Sequence, residues 1–281
     1  MRKRNLTIND IAKELGISKS TVSRALHETH DINPETKKKV LEYAKRHDFS
    51  PDALAQGLRS RSTKTIGVIV PAYNIPFYSS AICGIQDYAM KMGYNVMVCH
   101  SNEQYEIEIK NVEALLNANV EGIIISVSRD TEQNEHIRKL KRKGIPLVLF
   151  NRVIEDFKAE KVVVNDYYGA SNTVNYFIKT GCKNIAYISG PNNLLLSNNR
   201  KEGYFEALRN NSISVSEKMV VEGDFTIQSG VECTRKLLED NKEIDAIFAF
   251  CDAVAFGTTK VFTCRFCFIA LKNNSMSQRF L

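Results

Sequence analysis

Residues 18–27 read SKSTVSRALH, so Lys19, Ser20, Ser23 and Arg24 bring two cations and two hydroxyls into two turns of chain. In a major groove, Lys and Arg donate to guanine O6 and N7, while hydroxyls and backbone amides suit phosphate oxygens. Covalent chemistry finds fewer candidates. The sequence has no GxGxxG after its first apolar run, no GxxxxGK[ST] and no GxSxG, which removes the usual phosphate loops and the nucleophile elbow. The five His, at 27, 30, 47, 100 and 136, lack metal-ligand spacing, and Cys264 and Cys267 form a lone CxxC with no second pair and no nearby His. No catalytic cluster, metal or cofactor is expected.

The polar stretch needs elements to hold it. Upstream, Ile8, Ile11, Ala12 and Leu15 recur at helical spacing, with Thr7 and Asp10 placed as a capping box and Gly16 as the exit. Ser18 offers a second N-cap two residues later, and Val22, Ala25 and Leu26 share one face of the helix it starts. Two short helices around a Gly-containing turn make a helix-turn-helix. Asn33-Pro34 opens a third helix with Val40, Leu41 and Ala44 expected inward. The second helix is then seated by its apolar face, leaving Lys19, Ser20, Ser23 and Arg24 outside, where such a helix meets base edges.

Charge supports this placement. Residues 1–64 carry 14 Lys+Arg against 8 Asp+Glu, whereas residues 65–281 carry 24 of each, so the formal +6 of the 281-residue chain lies entirely at the helix-turn-helix end. One module matched to phosphates and one neutral globular body would produce that asymmetry. The basic start MRKRNLTIND leads into no apolar run, and no stretch is long and apolar enough to span a membrane. Seven scattered Cys fit reduced thiols better than a disulfide framework, and a cytoplasmic protein is expected.

From Thr65 the texture changes to short β-rich runs: TIGVIV (65–70), NVMVCH (95–100), GIIIS (122–126), PLVLF (146–150), KVVVN (161–165), NIAYIS (184–189) and AIFAF (246–250). Helical patterns lie between most of them, at 79–92, 106–118, 132–143, 168–180, 197–210 and 227–240. Alternation of this kind means parallel sheets covered by helices on both faces.

TINDIAKELGISKSTVSRALH, INPETKKKVLEYAKRHDFSPDALAQGLRS and TIGVIVP together resemble the lactose-repressor/galactose-repressor (LacI/GalR) family of bacterial transcription regulators, from about Leu6 to about Val261. The resemblance implies a small all-α helix-turn-helix domain followed by an α/β periplasmic-binding-protein-like domain of two Rossmann-like subdomains. It also implies a homodimer on a near-palindromic operator in double-stranded DNA, controlled by a small-molecule effector such as a sugar or related metabolite. By resemblance Lys19, Ser20 and Arg24 read major-groove bases, and Thr7, Ser18, Thr21 and Ser23 contact or cap near phosphates. SPDALAQGLRS (50–60) matches a hinge helix that forms on DNA, with Ala55 and Leu58 at a minor-groove wedge; taken alone, Leu58 is an apolar linker residue. Phe77, Tyr78, Asn151, Arg200 and Asp252 match effector-pocket positions, and an Arg and an Asp over an aromatic floor suit a polyhydroxylated or anionic molecule. The LLL at 194–196 makes one pocket loop unusually apolar.

The expected organisation is residues 1–50 for the helix-turn-helix, 51–64 for the hinge, 65–261 for an effector domain with its last part missing, and 262–281 for an aberrant tail. The tail, FTCRFCFIALKNNSMSQRFL, departs from the family pattern and reads either as a frameshift or early stop, or as a divergent short C-terminus. Two alternatives stand beside a repressor: a truncated regulator that dimerises poorly, and a small-molecule-binding protein or sugar-active enzyme.

Overall fold

The computed structural model describes residues 6–26, 32–47, 49, 62–131 and 133–262, and the chain divides into two units at Lys64/Thr65. Ala55, Leu58, Cys264, Cys267 and nearly all of the 262–281 tail lie outside the described residues.

The first unit is built on its caps. Helix α1 (Ile8–Glu14) starts at a reciprocal capping box, in which Thr7 N donates to Asp10 Oδ2 at 2.9 Å and Asp10 N donates to Thr7 Oγ1 at 3.3 Å. Gly16, at φ +63°, makes the left-handed exit that a side chain would disfavour. Ser18 Oγ accepts from Thr21 N at 3.1 Å and so starts α2 (Lys19–Leu26). Asn33 Oδ1 accepts from Glu35 N at 2.8 Å ahead of Pro34, the first residue of α3 (Pro34–Arg46). The three helices meet at Ile11, Ala12, Val22, Ala25 and Val40.

Two expectations for this unit fail. Leu41 is exposed, because the inward face of α3 runs through Val40 and Ala44 and turns Leu41 about 100° away from Val40. Ser23, expected outside with Lys19 and Arg24, is buried at 6% exposure. It flanks Val22 and Leu26 on the helical wheel. Arg24 and Lys19 remain exposed.

In the second unit, β1 (Thr65–Val70), β2 (Asn95–His100), β3 (Gly122–Ile125), β4 (Leu147–Phe150) and β5 (Glu160–Val162) form a parallel sheet of order β2-β1-β3-β4-β5. Its connecting helices are α4 (Pro76–Lys91), α5 (Tyr105–Asn117) and α6 (Glu135–Arg142). Alternation along β1 divides the packing: Val68 and Val70 join Tyr78 and Ile82 of α4, while Ile69 joins Val112 and Leu115 of α5 and Ile137 and Leu140 of α6. Both faces are therefore covered, as a parallel sheet requires. One polar knot lies in this core. Fully buried Glu108 accepts from Ser128 N (2.6 Å), Ser128 Oγ (2.8 Å) and Thr131 Oγ1 (2.9 Å), and lies 2.7 Å from His136 Nε2. The loop after β3 is thereby tied to α5.

After α7 (Asp166–Lys179) come β6 (Ile185–Ser189), α8 (Leu195–Asn210), β7 (Val220–Glu222), α9 (Ile227–Asp240), β8 (Ala246–Ala249) and α10 (Asp252–Val261). The second parallel sheet has β6 at its centre between β7 and β8. Tyr187 of β6 stacks on Phe248 of β8 (centroids 4.8 Å) and on Tyr204 of α8 (5.1 Å), giving the core an aromatic spine. Neither β7 nor α10 was expected from the sequence: VVE is too short to show a period.

Helices α9 and α10 approach so closely that a Cβ on Gly230 would fall on the Val254 carbonyl, whereas nothing lies within 4 Å of a Cβ on Gly169 of α7. Gly230→Ala is predicted to lower the free energy of unfolding by about 1–3 kcal/mol through overpacking. Gly169→Ala is predicted to raise it by about 0.5–1 kcal/mol through helix propensity. Urea denaturation of the two variants checks both signs.

Candidate functional site

A cavity of about 440 Å³ opens where the two sheets of the second unit present their strand ends. That size lies within the range of small-molecule sites, and the C-terminal ends of parallel strands are where α/β sheets bind ligands. The first sheet contributes residues 74–78 after β1 and Asn151 and Arg152 after β4. The second contributes Leu196 and Arg200 of α8, Phe225 after β7, and residues 251–253 after β8. All five residues expected at an effector pocket, Phe77, Tyr78, Asn151, Arg200 and Asp252, line this one cavity.

Each is held for a local reason. Pro76 at the first turn of α4 sets the backbone that delivers Phe77 and Tyr78, whose rings meet edge to face at 5.2 Å. Tyr78 is buried at 2% exposure; its hydroxyl accepts from Asn151 Nδ2 at 3.0 Å and lies 3.1 Å from Ser126 Oγ. Burial pushes the Tyr78 pKa up, so the hydroxyl keeps its proton at neutral pH. Asn151 has φ +56°, a left-handed conformation that Asn tolerates better than most residues. That turn aims its amide back at Tyr78.

On the opposite wall, Arg200 is buried and fixed. Its Nη2 lies 2.7 Å from Asp166 Oδ1, its Nε donates to the same oxygen at 2.8 Å, and its Nη1 donates to the Phe250 carbonyl. Asp166 opens α7 and Phe250 follows β8, so one guanidinium joins three elements. Asp252 begins α10, and the half-buried thiol of Cys251 beside it has its pKa raised by burial. Leu194 and Leu196 are both buried, so the apolar loop packs its leucines inward, and only Leu196 of the two reaches the cavity.

Sequence reasoning missed Arg152, Phe225, Asp166 and Ser126. Arg152 stands beside the matched Asn151 and gave the only readable signal. Phe225 follows the unrecognised β7, and Asp166 and Ser126 act through contacts dozens of residues away. Burial works against the Arg152 charge, but Tyr78 and the Glu103 carboxylate beside it outweigh that penalty and hold its pKa above the usual guanidinium range. Among the described residues no group of three or more His, Cys, Asp or Glu is placed to hold a metal ion.

In the first unit, α2 presents Lys19, Ser20 and Arg24 outward. Thr7 and Ser18 spend their side chains on caps, and Thr21 Oγ1 lies 2.8 Å from Ser18 Oγ. A helix-turn-helix unit in the same chain as a two-sheet ligand cleft is the plan of a ligand-sensing transcription regulator.

Comparison with known proteins agrees. Residues 7–52 match the family model described as bacterial regulatory proteins, lacI family, and residues 63–265 match periplasmic binding proteins and sugar binding domain of LacI family. Catabolite control protein A of Priestia megaterium is 35% identical over 254 residues, 90% of this chain and 76% of that protein. A lac repressor dimer bound to operator and the anti-inducer ONPF superposes with TM-score 0.80 at 22% identity, covering 92% of this chain and 77% of that one. A complex of the transcriptional regulator CelR with cellobiose superposes with TM-score 0.64 at 25% identity, covering 92% and 77%. The chain belongs to the LacI family of bacterial regulatory proteins, and it is a DNA-binding transcription regulator of the repressor type. The sugar-active enzyme set against this reading falls with that membership. Among the described residues no helix is long and apolar enough to cross a membrane.

Asp166→Asn leaves the buried Arg200 guanidinium without its carboxylate. It is predicted to cost about 3–5 kcal/mol of unfolding free energy in urea titrations. A loss below about 1 kcal/mol, the scale of an exposed pair, would show that the anchor does not carry the wall.

Proposed function

We propose that this chain represses transcription from a near-palindromic operator as a pair of copies, and that a sugar or related small metabolite in the two-sheet cavity sets its operator affinity. The observation that carries this reading is the meeting of Phe77, Tyr78, Asn151, Arg200 and Asp252 around one cavity of about 440 Å³ built from both sheets. Arg24, Lys19 and Ser20 are the base-reading residues in this scheme. Ser18, Thr21 and Thr7 are assigned to phosphates at the helix starts, the Ser18 and Thr7 hydroxyls serving first as caps and the Thr21 hydroxyl pairing with that of Ser18. Buried Ser23 acts by seating the helix rather than by touching DNA. The lac repressor dimer on its operator and CelR with cellobiose are the precedents for the paired, sugar-responsive form. The cysteines at 83, 99, 182, 233 and 251 are thiols rather than disulfide halves, which suits a reducing cytoplasm, where operator DNA is found.

The coupling is linkage. A ligand that binds one arrangement of the two sheets better than another shifts their populations, and operator affinity changes by the same factor that the operator imposes on the ligand.

Selection of bound sequences from random duplex DNA, with the purified chain at near-physiological salt, tests the reading. The expected product is a two-fold symmetric site. Arg24→Ala is predicted to weaken that site by about 1–3 kcal/mol, roughly 5- to 150-fold, and to relax preference at one position in each half. Recovery of random sequence would overturn operator recognition, and recovery of single half-sites would overturn the paired form.

A further inference from the structure

The end of the first sheet that lies away from the cavity is strongly basic. Its five strands are parallel, so all of them start at that end, and α4, α5 and α6 run back to it from the end that opens on the cavity. Exposed cations collect there: Lys64 ahead of β1, Lys91 closing α4, Lys141, Arg142 and Lys143 closing α6, and Lys158 ahead of β5. The carboxylates at the same strand starts are Glu121 and Glu160. Residues 65–281 as a whole carry 24 basic and 24 acidic side chains, so this concentration is not the by-product of a basic body.

Helix capping does not call for so many. A cation in the last turn answers the partial negative charge of the terminal carbonyls. Yet α5 ends with none and α4 with Lys91, whereas α6 ends with Lys139, Lys141 and Arg142 and is capped by Lys143. Lys139 pairs with Glu113 at 3.3 Å and Arg142 with Glu135 at 2.6 Å, both exposed and therefore weak. Lys141 is placed differently: its Nζ donates to the Lys158 carbonyl at 3.4 Å and stands 5.8 Å from the centroid of the Phe157 ring. The end of α6 and the segment ahead of β5 are thereby joined into one basic surface.

We propose that this end of the first sheet is a second DNA contact, in which Lys141, Lys143 and Lys158 meet phosphates of the duplex flanking the half-site that α2 reads. Charge and connection select the partner. Lys64 and Thr65 are where the chain arrives from the helix-turn-helix unit through residues 47–64, so the duplex bound by α2 is the polyanion held on the same tether. Tethering makes the second contact intramolecular, and weak phosphate contacts then act at an effective concentration on the order of millimolar. Lysine ammoniums meet phosphates as point charges and read no sequence. The contact adds affinity and salt dependence without adding a base preference.

The test is fluorescence-anisotropy titration of the purified full chain with two duplexes, one ending at the selected site and one extended by a helical turn, about 10 base pairs, on each side. Dissociation constants are measured between about 50 and 200 mM salt. The expected result is that the slope of log affinity against log salt is steeper on the extended duplex by about 2. The double variant Lys141→Gln/Lys143→Gln removes that difference and weakens the extended duplex by about 10-fold at the lowest salt, leaving the short duplex unchanged. Lys141→Arg/Lys143→Arg keeps both slopes. Arg24→Ala weakens the two duplexes alike and preserves the difference, which separates loss of base reading from loss of the second contact. Equal slopes on the two duplexes for the wild type overturn the proposal, in favour of a solvated face or an acidic protein partner. Equal loss on both duplexes in the glutamine variant overturns it as well, because the lysines would then act through the fold.

Discussion

The cleft depends on a charge taken out of water and answered in place. Arg200 is 5% exposed and Asp166 9% exposed at the side chain, and the 2.7 Å pair they form joins the start of α7 to α8, while a second arm of the guanidinium reaches the carbonyl that ends the β8 segment. Desolvating two ions is costly, and the arrangement holds only because nearly every arm of the fork is used. Once it is held, Leu196 and Asp252 have fixed places on the wall. The first sheet repeats the device with Arg152 and Glu103, so each half of the cleft carries one neutralised guanidinium.

The helix-turn-helix unit solves a different problem. Its apolar core is small, centred on Ile11, Val22, Ala25 and Val40, and a domain of that size is only marginally able to stabilise itself by burial. Caps supply what the core lacks. The Thr7–Asp10 box, Ser18 and Asn33 each satisfy amides that would otherwise be orphaned at a helix start. Because they act at the ends, the outer face of α2 is left to Lys19, Ser20 and Arg24.

Local features were legible in the sequence, and distant pairings were not. Capping residues, the Gly16 exit and the apolar runs of seven strands act within a few residues of themselves, so their pattern is visible along the chain. Five cavity residues were legible through family resemblance, which places residues without explaining them. The partners that fix them, Ser126 and Asn151 for Tyr78 and Asp166 for Arg200, sit 34 to 73 residues away in sequence and leave no periodic trace. Leu41 and Ser23 were misread for a related reason. Helical spacing defines an apolar arc, but where the arc ends depends on the neighbour that covers it.

Coupling between the cleft and the DNA-binding unit makes one quantitative demand, that of reciprocity. The direct measurement is the dissociation constant of a cleft ligand with and without saturating operator, set beside that of the operator with and without saturating ligand, at one salt concentration. Linkage predicts the same factor in both comparisons, on the order of 5- to 150-fold. Ligand affinity unmoved by operator would contradict it, and would mean that the cleft and the DNA-reading helix act independently.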